Sequence, residues 1–199
     1  MRITSNFRFY AIILLIALSQ SSFSQNIRGL YVNDFKNIIG DSALEDELLQ
    51  FAQDYNFNYL LLYNLHYIHN NIFDITNPTT AQPLADFIEK AKTQYGILQV
   101  GAVGEKFSSF NTIDAYQTSH SGNSNQQFDV YNIEFEFWNN NLVKPGKYYC
   151  TTYLDPNGYA CNKNGAFDFY KIQIESLDSL TNIRGIISET YIGNTTASQ

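Results

Sequence analysis

The stretch Phe128-Asp-Val-Tyr-Asn-Ile-Glu-Phe-Glu-Phe137 combines strand patterning with acid/base side chains. Aromatic and β-branched residues alternate with polar ones at period two, which predicts a β-strand. Tyr131, Ile133, Phe135 and Phe137 fall on one face; Asn132, Glu134 and Glu136 fall on the other. Same-face neighbours on a strand lie roughly 6.6 Å apart. Facing solvent, this row is ordinary sheet patterning. Facing the inside of a barrel, it is an amide and two carboxylates poised for proton transfer.

The elements around this strand decide between the two. Ile27 to Phe35 reads as a first strand ending at Asn33-Asp34. Ser42-Ala-Leu-Glu45 is a capping box, and the helix it opens carries Leu44, Leu48, Phe51, Ala52 and Tyr55 on one stripe to about Asn56. Tyr59 to Tyr63 is a continuous apolar run, the mark of a strand covered on both faces. A polar loop with Asn70, Asn71, Asn77 and Pro78 follows. Pro83 starts a second helix with Leu84, Phe87, Ile88, Ala91 and Tyr95 as its stripe, closed by Gly96. Ile97 to Val103 is a third strand, running into Gly104-Glu105. Asn111 caps a short helix through Tyr116, and Ser119 to Gln127 is a linker. After the carboxylate strand, residues 139–165 form a polar excursion with a turn at Asp155-Pro-Asn-Gly158 and a hairpin arm over Tyr148–Tyr153. Ala166 to Leu180 is a helix with Phe169, Ile172, Leu177 and Leu180 at apolar positions. Ile186 to Ile192 is a fifth strand.

Strand–helix alternation with two-sided strands predicts an α/β fold with a parallel sheet and right-handed crossovers. No G-x-G-x-x-G follows the first strand, where Tyr31-Val-Asn-Asp-Phe-Lys stands, so a dinucleotide-binding sheet is disfavoured. A partial (β/α)8 barrel remains, about five parallel strands with intervening helices, its chemistry at the carboxyl ends of the strands.

The carboxylate strand resembles the fourth barrel strand of family 18 glycoside hydrolases, the chitinase and endo-β-N-acetylglucosaminidase family. Its signature is D-x-x-D-x-D-x-E; Asp129, Asn132, Glu134 and Glu136 stand at those spacings, with the first and last identities kept. Val100-Gly-Ala-Val-Gly104 loosely echoes the glycine-rich end of that family's third strand. The resemblance runs from about Ile27 to Ile192, mostly by element order. It implies that Glu136 protonates the glycosidic oxygen and that Glu134 orients the substrate's N-acetyl group, whose carbonyl is the nucleophile. Asn132 would bind substrate, and Asp129, on the opposite face, would support the strand. Glu105 and Glu189, at strand ends, could reach the same mouth. Trp138 either stacks on a sugar or packs under the excursion.

Arg2, Arg8, the apolar run Ala11–Leu18 and the small residues Ser22 and Ser24 predict a signal peptide over residues 1–24. Residues 25–199 then suffice for one domain with a core. No stretch of about 18 apolar residues predicts a membrane span. The net charge of −7 argues against nucleic acid. Fifteen Tyr and fifteen Phe suit both a core and the flat faces of sugars. Export permits a Cys150–Cys161 disulfide. His66 and His69 could share a face and bind a metal, but two His in a polar loop read as surface residues; neither a metal nor a cofactor is expected. A full barrel needs eight strands and about 250 residues, so residues 25–199 are expected to be the N-terminal portion of one and inactive alone. Asn194-Thr-Thr196 matches a glycosylation sequon by pattern. Two functions stay open: a secreted glycosidase acting on N-acetylated glycans, or a non-catalytic exported glycan-binding or adhesion protein on the same scaffold.

Overall fold

The five apolar runs become the strands of one parallel sheet in a computed structural model that describes residues 26–191. They are β1 (Gly29–Val32), β2 (Tyr59–Leu62), β3 (Gln99–Gly104), β4 (Val130–Ile133) and β5 (Ile187–Thr190). The signal segment, the sequon and Ile192, the last residue of the fifth run, lie outside the described residues. The strand order is β1-β2-β3-β4-β5, all pairs parallel. A doubly wound sheet reverses its strand order partway; this one winds in a single direction, which puts the crossover helices on one side. Among the described residues β1 pairs with β2 alone and β5 with β4 alone.

The helices are α1 (Ser42–Asp54), α2 (Leu65–Asn71), α3 (Gln82–Gln94), α4 (Ser109–Ser119), α5 (Asn140–Val143) and α6 (Lys163–Arg184). Leu60, Leu62, Val100, Ala102, Tyr131 and Ile133 point into their side of the sheet and are fully buried. Leu84, Phe87, Ile88 and Ala91 of α3 are buried as expected, and Phe110 of α4 stacks on Tyr131 at 5.2 Å. No helix among the described residues is long and apolar enough to cross a membrane.

Several local expectations are corrected. α1 is capped by Asp41, whose Oδ1 accepts from the N–H groups of Ala43 and Leu44 at 3.0 and 3.2 Å. Glu45 reaches back to the Gly40 N–H at 2.8 Å, so the cap lies one residue upstream of Ser42. Leu44, Phe51 and Tyr55 are exposed, and Leu49 and Ala52 are the buried positions of α1. Part of the expected Asn-rich loop is α2, held by buried Leu65 and Ile68. α4 begins at Ser109, ahead of Asn111. The expected hairpin arm is a π-helical turn, Cys150–Leu154. α6 extends beyond both expected ends, and its Ile172 is exposed.

The helix-free face is curled. Tyr31 of β1 hydrogen-bonds Glu134 just past β4, and Tyr59 of β2 donates to Glu189 of β5 at 2.7 Å. Each pair spans three strand spacings, about 14 Å on a flat sheet. Curvature brings them together. Gly101 on β3 makes room: a Cβ there would stand 2.8 Å from the Tyr59 hydroxyl, so only glycine lets Tyr59 cross β3 toward β5. A five-stranded parallel sheet curled in this sense is compatible with part of a barrel wall.

Candidate active site

Past Ile133 the Glu134 N–H still donates to the Gly104 carbonyl at 2.9 Å, and the chain then turns at Glu136, where the Phe137 N–H donates to the Phe135 carbonyl at 2.8 Å. Phe135 is fully buried and stacks on Tyr149, ring centroids 4.4 Å apart. Glu134 and Glu136 open to the other side. There they line a cavity of about 170 Å³ together with Tyr31, Asn33, Tyr63, Glu105 and Tyr149.

Each carboxylate has its own partners. Glu134 accepts from the Tyr31 phenol. Glu136 accepts from Asn139 Nδ2 at 2.9 Å, and its backbone N–H donates to the Tyr149 hydroxyl at 3.3 Å. Glu105, the residue after β3, accepts from three phenols: Tyr63 at 3.2 Å, Tyr148 at 2.9 Å, and Tyr153. Tyr153 lies within the Cys150–Cys161 disulfide loop and Tyr148 two residues before it. A loop of this length is stabilised on the order of 2–3 kcal/mol by such a bond. Here it also fixes the excursion over the carboxyl ends of the strands, with Tyr149 on Glu136 and Tyr148 and Tyr153 on Glu105.

Burial pushes the Glu134 carboxyl above the ordinary glutamate value, and the nearby charges of Glu136 and Glu105 add to the rise. The Tyr31 hydrogen bond partly offsets them. The phenols of Tyr31, Tyr63 and Tyr153 are likewise pushed well above their usual range, first by burial and then by the adjoining carboxylates. They remain donors wherever the protein is folded. The site thus holds one carboxyl biased toward its protonated form among fixed phenolic donors, a suitable arrangement for acid/base work.

The raised Glu134 value has a consequence for stability. The folded form binds this proton more tightly than the unfolded chain, so the contribution is fully present below about pH 4 and is lost as pH rises through the folded value. Glu134→Gln cannot titrate. Its melting temperature relative to wild type is expected to climb between pH 4 and pH 7. A difference that stays flat or falls across that range would show that Glu134 carries no burial penalty.

The other sequence-selected residues take different places. Asn132 and Glu189 are direct register partners one layer below the cavity. Asn132 Nδ2 lies 3.4 Å from the Glu189 Oε2 that Tyr59 also contacts. Trp138 packs on Phe137 and Tyr191, at 5.0 and 6.0 Å between ring centroids, away from the cavity lining. Asp129 sits at the amino end of β4, where Lys92 reaches both its oxygens at 2.8 and 2.9 Å and the Val100 N–H donates to it at 2.8 Å. His66 and His69 lie on α2, and His69 Nδ1 stands 3.1 Å from Asp74 Oδ1. Among the described residues no group of three or more His, Cys, Asp or Glu is placed to hold a metal ion. The tyrosines of the site were not singled out from sequence. Their one signal is position: Tyr31 and Tyr63 sit in or just past strands on the carboxylate side, Tyr148 and Tyr149 immediately precede Cys150, and Tyr153 lies inside the cysteine loop.

No family model, curated protein or solved structure matches this chain.

Proposed function

We propose that this is an exported glycoside-hydrolase-like protein acting on N-acetylated glycans, built on the first part of a (β/α)8 barrel. The observation that carries the reading is the convergence of Glu134, Glu136 and Glu105 on one cavity. That cavity lies on the helix-free face, at the carboxyl ends of parallel strands, where barrel enzymes do their chemistry. The spacing from Asp129 to Glu136 supports it, and a disulfide suits an oxidising compartment.

In this reading Glu136 donates its proton to the glycosidic oxygen as the C1–O bond breaks. The substrate's own acetamido oxygen bonds to C1, one of the recognised departures from the two-carboxylate scheme. Glu134, held by Tyr31, orients the acetamido group by hydrogen bonding. Glu136, now ionised, takes a proton from the water that reopens the ring intermediate, restoring the acid.

The second reading, a non-catalytic glycan-binding protein, is favoured by one observation. The position of the signature's second acid holds Asn132, whose amide is directed at Glu189 and cannot share a proton as a carboxylate does. Release of new reducing ends from N-acetylglucosamine oligosaccharides separates the two. Hydrolysis supports the enzyme; binding without hydrolysis selects the second reading; neither binding nor hydrolysis rejects both.

A further inference from the structure

The carboxylate cavity is too small for an oligosaccharide. Ligand sites run from about 300 to 1,000 Å³, and this one holds about 170 Å³. Beside it lies a second cavity of about 390 Å³, within that range. The two share Tyr63 and Glu105, so they are two ends of one cleft with Glu105 on the divide.

The larger end is walled by elements that the chemistry above does not use. α2 supplies His66 and Tyr67, the disulfide-held turn supplies Thr152 and Tyr153, and Tyr148 stands just before it. Tyr67 and Tyr148 are 46% and 49% exposed, so aromatic surface is open to a ligand. The phenols of Tyr63, Tyr148 and Tyr153 share their protons among Glu105 and the Tyr148–Tyr153 hydroxyl pair, 2.9 Å apart, and each oxygen keeps a lone pair able to accept. Lys106, its ammonium 5.2 Å over the Tyr153 ring, and Asn64 supply donors. Acceptors and donors interleaved beside exposed rings match a pyranose, which has hydroxyls on its rim and C–H groups on its face. An apolar ligand would leave Glu105 and its phenols against hydrocarbon, which is unfavourable. A phosphorylated ligand would meet Lys106 with the Glu105 carboxylate beside it, in a chain of net charge −7.

We infer that the larger cavity is a subsite for a sugar unit that is not cleaved, built in part by the disulfide turn, and that the cleft as a whole takes an oligosaccharide. This rests on the glycan reading of the carboxylate cavity. The Cys150–Cys161 bond then couples the two ends: Tyr149 contacts Glu136 at the reacting end, and Tyr148 and Tyr153 line the holding end.

Calorimetric affinities for the di- and tetrasaccharide of N-acetylglucosamine test it in wild type, Thr152→Trp, whose indole fills the larger cavity, and Tyr148→Ala. Wild type is expected to bind the tetrasaccharide at least about tenfold more tightly than the disaccharide. Both variants are expected to lose that gain, and Glu136→Gln to keep it. Melting curves identify a misfolded variant; Tyr148, half exposed, carries the test if Thr152→Trp does not fold. Equal affinity for both lengths in wild type, or an undiminished gain in the folded variants, overturns the subsite and leaves the carboxylate reading standing. No binding of either sugar by wild type overturns both.

Discussion

Glu136→Gln is expected to lower hydrolysis of N-acetylated glycans by about 10²–10⁴-fold, the usual worth of a positioned general acid. The substitution keeps the shape of the side chain and an oxygen to accept from Asn139. What it removes is the transferable proton. Glycan affinity should therefore survive, and the loss should appear in turnover. Glu134→Gln is a different lesion: its amide can still accept from Tyr31, and it disturbs the orientation of the acetamido group rather than the proton supply. Equal activity in wild type and Glu136→Gln would remove Glu136 from the acid's role. No activity in either, with binding intact, would select the non-catalytic reading.

Lys92→Met is expected to destabilise the fold by about 1–3 kcal/mol, because it removes one ammonium that serves the half-buried Asp129 carboxylate and two backbone carbonyls at once. Lys92, on α3, is 9% exposed at its side chain and donates to Asp129, to the Gln127 carbonyl at 2.7 Å and to the Ser124 carbonyl at 3.3 Å. One ammonium thus pins the segment before β4 to α3. Asp129 in turn exchanges hydrogen bonds with Val100, through its side chain and its backbone N–H, both at 2.8 Å. The first acid of the signature spacing therefore sets where β4 begins against β3. Asp129→Asn keeps the bond to Val100 and should cost less. In both variants the activity per folded molecule should stay near wild type, since the pair lies at the amino end of the sheet. Denaturant unfolding checks the stability; a Lys92→Met midpoint indistinguishable from wild type would show that the pair does not anchor β4.

The order of elements was legible because each β–α unit carries its own period. Leu84, Phe87, Ile88 and Ala91 fall on one side of α3 whatever surrounds them, and that side is buried. The same logic holds only in part on α1. Of its stripe Leu44, Leu48, Phe51, Ala52 and Tyr55, Ala52 is buried and Leu48 packs on the core, while Leu44, Phe51 and Tyr55 are exposed and Leu49, outside the stripe, is covered. Periodicity finds an apolar face, and neighbours decide which face is covered. α2 was invisible for the complementary reason: His66, Asn70 and Asn71 are weak helix formers, and the burial of Leu65 and Ile68 outweighs their propensity. In the site, the alternation of Asn132, Glu134 and Glu136 is local and readable. The phenols that complete it are not, because Tyr31 and Glu134 are 103 residues apart, and Tyr59 and Glu189 are 130 apart. Only the curl of the sheet brings them together. Trp138 illustrates the limit of adjacency: one residue past the second phenylalanine after Glu134, it packs on Phe137 and Tyr191.

The central claim is that this carboxylate–phenol cavity recognises an N-acetylated sugar. NMR titration with chitotetraose, and with cellotetraose as an uncharged sugar lacking the acetamido group, tests it most directly. The account predicts saturable shifts with chitotetraose at the side chains of Glu134 and Glu136 and at the rings of Tyr31 and Tyr63, and little or no response to cellotetraose. Shifts that fall elsewhere on the surface, or that are the same for both sugars, would contradict it.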